Sequence, residues 1–266
     1  MNILDEIIAY KKEEVELRKA AKPLEVLAGE IAGMEKCRNF YKAVTKRNRK
    51  HGINIIAEVK NASPSAGVIR ADFDPVKIAK IYESCHADAV SVLTDEKWFK
   101  GKLEYLTAVK EAVAVPVLRK DFIVDAYQIY EARAAGADAV LLIAEALNLG
   151  QLSDLMIMAG ELSLTVLLEV HSADTLLKVR SLIGFPKKGY SVLGINNRDL
   201  SSMEVDINTT GRLAELADGK VPIVAESGIR TADDVRKLRK VGVRAVLIGQ
   251  TLCQSADIEA KFHELF

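Results

Sequence analysis

Five apolar, strand-like runs of this sequence end in side chains that can move a proton or hold an anion: Glu58 with Lys60, then Lys120, Glu169, Asn196, and Glu226 with Ser227. Carboxylates and amines placed together are the equipment of acid–base chemistry, and an amide or hydroxyl can orient a substrate oxygen. Side chains alternate along a strand, so Ile56, Glu58 and Lys60 share one face, as do Leu118 and Lys120. If Ile56 and Leu118 point into a barrel, the charges stand above them at its mouth. Glu58 and Lys60 are close enough on one strand to keep each other charged. A structural ion pair capping the core is the competing account.

Lys120 ends the run Val-Pro-Val-Leu-Arg-Lys, with Arg119 on the opposite face. An inward lysine is either a charged general acid or a deprotonated amine that forms a Schiff base. Carboxylates at Glu58 and Glu169 favour the ammonium, hence the acid; a lysine snorkelling to solvent is the plain alternative. Glu169 follows Val-Leu-Leu and reads as a base or an orienting group. His171 shares its face one step further out and reads as a loop or cap histidine. Gly-Ile-Asn-Asn-Arg-Asp, residues 194–199, puts Asn196 at a strand end and Arg198 in the loop, where a guanidinium suits a carboxylate or phosphate. An Asx turn with an Arg198–Asp199 surface pair would explain the same residues.

Two glycine turns, Glu226-Ser227-Gly228 and Gly249-Gln250-Thr251, follow the last two strand-like runs. Barrels commonly bind phosphate there, on backbone N–H groups that glycine leaves accessible. Ser63, in Ser-Pro-Ser-Ala-Gly after the first run, can add a hydroxyl. A phosphorylated small-molecule substrate is therefore expected.

Positioning these residues requires a repeating scaffold. Strand-like runs at 53–60, 89–93, 115–120, 137–143, 164–170, 191–196, 221–225 and 245–248 alternate with helix-like segments at 75–85, 102–114, 126–135, 149–162, 173–182, 209–216, 232–241 and after Gly249. Strict alternation implies parallel strands with helical crossovers. Eight units, with polar ends spread over five of them and no G-x-G-x-x-G turn, predict a single (β/α)8 barrel rather than a dinucleotide-binding sheet. Helical periodicity at 3–20, a second short helix after Pro23 and a third capped by Asn39 make roughly the first 48 residues an N-terminal helical extension. Residues 1–266 are thus expected to form one domain, with the extension packed on the barrel.

The 37 Lys and Arg balance the 37 Asp and Glu, so no overall field favours nucleic acid or an anionic membrane. Asp5 and Glu6 interrupt the first apolar residues and a dense charge run spans Lys11 to Lys19, which is neither a secretion signal nor a membrane span. Cys37, Cys85 and Cys253 are odd in number and far apart, as expected of a reduced cytoplasmic protein without structural zinc. His51, His86 and His263 form no ligand spacing with one another or with Asp or Glu, so no metal site is expected.

Taken in order, the segments 57–67 (AEVKNASPSAG), 91–101 (SVLTDEKWFKG), 118–122 (LRKDF), 168–171 (LEVH), 194–200 (GINNRDL) and 226–229 (ESGI) resemble indole-3-glycerol-phosphate synthase, over the whole chain. The resemblance implies ring closure of 1-(2-carboxyphenylamino)-1-deoxyribulose 5-phosphate with loss of carbon dioxide and water, in tryptophan biosynthesis and without a cofactor. By it, Lys120 matches the general acid at the substrate carbonyl and Glu169 and Glu58 match the catalytic carboxylates. Lys60 matches a lysine near the anthranilate carboxylate, and Asn196 and Ser227 match orienting residues. Phe99, Phe122 and Leu200 fall where the family forms an apolar slot for the aromatic ring, although ordinary core packing would also place them. Glu226 becomes a supporting residue beside Ser227 and Gly228.

Gln250-Thr251-Leu252 stands where Glu-Ser-Leu is common, which leaves the backbone phosphate contact at Gly249 and Gln250 intact. The segment from Ser181 to Tyr190 is longer than usual, on the face away from the site. A monomer is favoured. The remaining alternatives are a Schiff-base aldolase using Lys120 and a barrel that has lost activity and serves as a scaffold. The joint presence of Glu58, Lys60, Lys120, Glu169, Asn196 and Ser227 argues against the latter.

Overall fold

The computed structural model describes residues 3–199, 202–217 and 221–266. Eight strands, β1 (Asn54–Val59), β2 (Ala89–Leu93), β3 (Val117–Lys120), β4 (Ala139–Ile143), β5 (Thr165–Val170), β6 (Ser191–Asn196), β7 (Ile223–Glu226) and β8 (Ala245–Ile248), form a closed barrel. Every pairing is parallel, and β8 returns to β1.

The apolar residues of the strands fall into two sets, because both faces of the sheet are covered. Ile56, Leu118, Leu141, Leu167, Val192, Val224 and Leu247 fill the barrel interior. Ile55, Ala57, Val90, Val92, Val140 and Leu168 pack outward against the helices. Register then decides height: Leu93 pairs with Lys120, Ile143 with Glu169, and Asn196 with Glu226. The charged strand ends therefore gather above the filled interior at the C-terminal mouth.

Side-chain caps fix where several crossover helices start. Asp74, Asn148, Ser172 and Asp257 each accept a backbone N–H from the first turn of their helix. Asp125 with Gln128 and Thr231 with Asp234 close full capping boxes. The N-terminal helices are α1 (Ile3–Ala21), α2 (Leu24–Ala32) and α3 (Phe40–Thr45), the last capped by Asn39, whose side chain accepts the N–H of Lys42. Leu4 and Ile7 of α1 reach the apolar group that includes Trp98 and Phe99 at the mouth. Phe40 and Val44 of α3 meet the other end of the barrel, where Asn54 Nδ2 donates to the Val44 carbonyl at 2.7 Å.

Three details differ from the sequence expectation. The helix expected over 173–182 is α-helical only to Val179 and ends in a 3-10 turn at Arg180–Leu182. The segment after Gly249 is two helices, Gln250–Cys253 and Ile258–Leu265. A two-residue antiparallel pairing, Ala62–Ser63 with Gly67–Val68, folds the loop after β1 over the mouth. The long segment before β6 lies at the opposite end, where Gly189 is next to Tyr41 of α3.

Candidate active site

Lys120 is the hub of the mouth. Its Nζ is 3.9 Å from Glu58 Oε2, 3.9 Å from Glu169 Oε2 and 4.0 Å from Glu226 Oε2. Burial opposes its charge, but the carboxylates of Glu169 and Glu58 chiefly outweigh it and hold the amine above its ordinary value. The ammonium is thus the resting form, as the acid reading of Lys120 expects and the Schiff-base reading does not.

The acids around it occupy different environments. Glu58 is paired with Lys60 at 3.3 Å, and the Lys60 ammonium lies 5.3 Å above the Phe99 ring. Glu169 Oε1 accepts from Asn196 Nδ2 at 3.1 Å, while Oε2 has no hydrogen-bond partner among the described residues. Burial works against its charge, yet Lys120, His171 and Asn196 hold it well below the usual carboxylate range. Glu226 is buried beside both: burial first, then the charge of Glu169, pushes its carboxyl well above that range, which favours its neutral form.

Two glycines make room for these acids. A Cβ on Gly194 would clash with Glu226 Oε1, and one on Gly249 would clash with Glu58 Oε1. A side chain at either position would displace a carboxylate, so absence of a Cβ is part of the site.

The cavity above the cluster has two lobes. The first, 590 Å³, is lined by Leu93, Phe99, Phe122, Leu141, Ile143 and Met203, with Ser63 at its rim. The Phe99 and Phe122 rings stand 6.1 Å apart. The second, 470 Å³, is lined by Glu58, Glu226, Gly228, Gly249, Gln250 and Thr251. Lys60, Lys120, Arg198 and Ser227 border both lobes. A flat apolar group and an anionic chain can therefore meet at Lys120.

All the singled-out positions reach this cavity except Leu200, which lies outside the described residues. Asn196 serves two functions, since its Oδ1 also accepts the Arg198 N–H at 3.0 Å as an Asx turn would. Arg198 donates to the Met203 carbonyl at 3.1 Å, and burial together with nearby Arg230 lowers its pKa. Ser227 has φ 64°, and Asn197 Nδ2 donates to its carbonyl at 3.1 Å. Thr210 donates twice to Asn197 Oδ1. Sequence reasoning passed over Asn197, although it stands inside the same asparagine pair. It passed over Leu141 and Ile143 too, which alternation places on the inner face.

His171 is more than a loop or cap residue. Its Nε2 lies 3.1 Å from Glu169 Oε1 by an oblique approach, and its Nδ1 lies 2.9 Å from Glu145 Oε2. Period two was the available signal: it puts residue 171 on the face of residue 169. Burial disfavours its positive charge, but the two glutamates overcome this and bring its pKa to about 10.

A second charged cluster stands beside the first. Lys11 of α1, 1% exposed, is 2.8 Å from Glu14, 3.0 Å from Asp95 and 3.1 Å from Asp121. Arg119, facing outward from β3, reaches Asp121 at 3.1 Å and Glu131 at 2.7 Å. One further group, Cys85, Glu259 and His263, has donor atoms within 4.8 Å of one another on the helix layer, so the expectation that His263 lacks a ligand-spaced acid misses Glu259 one turn earlier. Both of its members on the last helix are exposed, and it lies apart from the cavity.

A parallel barrel with an acid–base cluster at its C-terminal mouth, next to glycine turns after β7 and β8, is the architecture of barrel enzymes that act on small phosphorylated molecules. Comparison with known proteins narrows the class. The family model for indole-3-glycerol phosphate synthase matches residues 4–265, and the chain belongs to that family, lyases of tryptophan biosynthesis. An indole-3-glycerol phosphate synthase of Thermoanaerobacter sp. (strain X514) is 47% identical over 255 residues, covering 96% of this chain and 94% of the relative. One from Neisseria gonorrhoeae (strain NCCP11945) is 45% identical over 265 residues, covering 100% and 99%. The crystal structure of 3-hexulose-6-phosphate synthase superposes with a TM-score of 0.63 at 17% identity, covering 80% of this chain and 98% of that one, a likeness of fold alone.

Proposed function

We propose that the strand-end groups divide between them the conversion of 1-(2-carboxyphenylamino)-1-deoxyribulose 5-phosphate to indole-3-glycerol phosphate. The observation that carries this reading is the position of Lys120, an ammonium within 4.0 Å of three carboxyl groups where an apolar and a polar lobe join. The substrate has the matching form, an aromatic ring joined to a sugar phosphate.

The ring enters between Phe99 and Phe122, with Leu200 assigned to the same slot from sequence, and its carboxylate meets Lys60. Desolvation there aligns the aryl carbon on the ketone. Lys120 protonates the carbonyl oxygen as the carbon–carbon bond forms, which makes the neighbouring carboxylate a leaving group. Loss of carbon dioxide restores the aromatic ring. Dehydration then needs an acid at the new hydroxyl and a base for the departing proton. Glu169 is the base, because its Oε2 faces the cavity without a hydrogen-bond partner among the described residues. Glu58 stays ionised against Lys60 and Lys120 and acts electrostatically.

Asn196 orients the substrate hydroxyls together with Ser227. The phosphate lies against the backbone of Gly228, Gly249 and Gln250, near Arg198, with Ser63 contributing a hydroxyl at the rim. Glu226, whose neutral form burial and Glu169 favour, borders this lobe and supports Lys120. Because Gln250 contributes its N–H, its side chain is not needed for that contact.

Every member of the cluster comes from one chain, so a monomer suffices for activity. The helices before β1 form an extension of the same domain, held by the Lys11 ion pairs. Three unpaired cysteines suit a reducing cytoplasm. No helix of the described residues is long and apolar enough to cross a membrane.

The test is direct. Purified chain mixed with the carboxyphenylamino-ribulose phosphate, without added metal or nucleotide, should produce indole absorbance and fluorescence. A folded sample that leaves the substrate unchanged would refute the reading.

A further inference from the structure

We infer that His171 and Glu145 form a positioning pair that fixes Glu169 so that Oε2, and not Oε1, is the oxygen that takes the substrate proton. The inference rests on the function proposed above and deepens its account of the base.

The geometry is asymmetric about the Glu169 carboxylate. Oε1 accepts a hydrogen bond from Asn196 Nδ2 and makes an ion-pair contact with His171 Nε2, each at 3.1 Å. Oε2 is left facing Lys120 at 3.9 Å. Two contacts on one oxygen stop the carboxylate turning about its terminal bond, and one open oxygen is what a general base requires.

His171 is itself gripped twice by one side chain. Glu145 Oε1 accepts its main-chain N–H at 2.8 Å and Oε2 lies 2.9 Å from Nδ1. Glu145 stands on the 3-10 turn Ala144–Ala146, directly after β4, so the strand neighbouring β5 sets the ring plane. A ring with a carboxylate at each nitrogen is stabilised as imidazolium, and that cation helps keep Glu169 ionised.

The surroundings support this charge. Glu169 faces the ring from β5 and Glu145 from the turn after β4, while Asp199, Glu204, Asp206 and Arg212 line with His171 an outer cleft next to the mouth. Glu169 lines the catalytic cavity, His171 lines this cleft, and Asn196 borders both. His171 touches no part of the catalytic cavity and acts only through Glu169.

The experiment compares the wild-type chain with His171→Ala and Glu145→Gln. Both should fold, shown by unchanged circular dichroism. His171→Ala should lower kcat by up to about 10²-fold, the cost of a misplaced catalytic group, with KM much less affected. Without the imidazolium the Glu169 pKa rises, so the acid limb of the kcat/KM profile should move to higher pH. A merely structural role would not move that limb. A second readout needs no substrate: the imidazole signal of His171, assigned by its loss in His171→Ala, should remain that of the cation up to about pH 10 and titrate lower in Glu145→Gln. If wild type makes no indole, the proposed function fails and the imidazole titration alone decides this inference. A folded His171→Ala with wild-type kcat and an unmoved acid limb, or an imidazole neutral at pH 7, overturns it.

Discussion

Two buried charge clusters lie side by side on β3, and they are built to opposite rules. Around Lys11 and Arg119 the ion pairs are closed, 2.7 to 3.1 Å long. Around Lys120 the three carboxyl groups stand off at 3.9 to 4.0 Å, beyond hydrogen-bond length. Residues 119 to 121 serve both clusters in turn: Arg119 outward, Lys120 inward, Asp121 back to α1. The difference shows what a catalytic charge cluster needs. Contacts already closed leave nothing for a substrate, whereas charges kept near but apart retain free lone pairs and protons for the reaction.

That contrast is broken most sharply by removing the central cation of each cluster. Lys120→Ala should lower kcat by roughly 10² to 10⁴, the usual worth of a general acid, while circular dichroism stays unchanged. A rate equal to wild type would remove Lys120 from the mechanism. Lys11→Met should do the reverse. It strands Asp95 and Asp121 in a dry site, at a cost of about 3–5 kcal/mol in urea unfolding, as breaking a buried pair from one side does. The folded fraction should keep far more of its kcat than Lys120→Ala does. If Lys11→Met removes activity without loss of stability, the division between the two clusters is wrong.

The same contrast explains what sequence could show. Glu58, Lys120 and Glu169 were legible because each follows an apolar residue on its own strand face, Ile56, Leu118 and Leu167, where a charge has no casual reason to be. The barrel was legible from period changes, as every strand was found within two residues of its observed ends. Lys11 was not: in a run of charges from Lys11 to Lys19 nothing marks the one that burial takes out of water. Glu145 was hidden for a similar reason, since its value lies in a contact 26 residues away with His171. His171 itself was set aside because the strand was expected to have released the chain, yet alternation persists one step beyond Val170. Pairings across the mouth depend on register, and register is not written in any one segment.

Glu226 provides the smallest and most discriminating effect. It lies in the loose cluster, but burial and the charge of Glu169 favour its neutral form, which Glu226→Gln reproduces in charge and shape. Activity near pH 7 should stay close to wild type. Stability should separate the two with pH. A carboxyl whose folded pKa is raised contributes stability that is fully present below its unfolded value and is lost as pH rises through the folded one. Wild type should therefore match Glu226→Gln in acid, near and below the ordinary glutamate pKa, and fall behind it as pH rises above that value. Urea midpoints measured across this range decide the matter. A variant that matches wild type in strong acid and becomes the less stable of the two above the ordinary glutamate pKa would mean that Glu226 is held as a carboxylate, and that Lys120 faces three negative charges and not two.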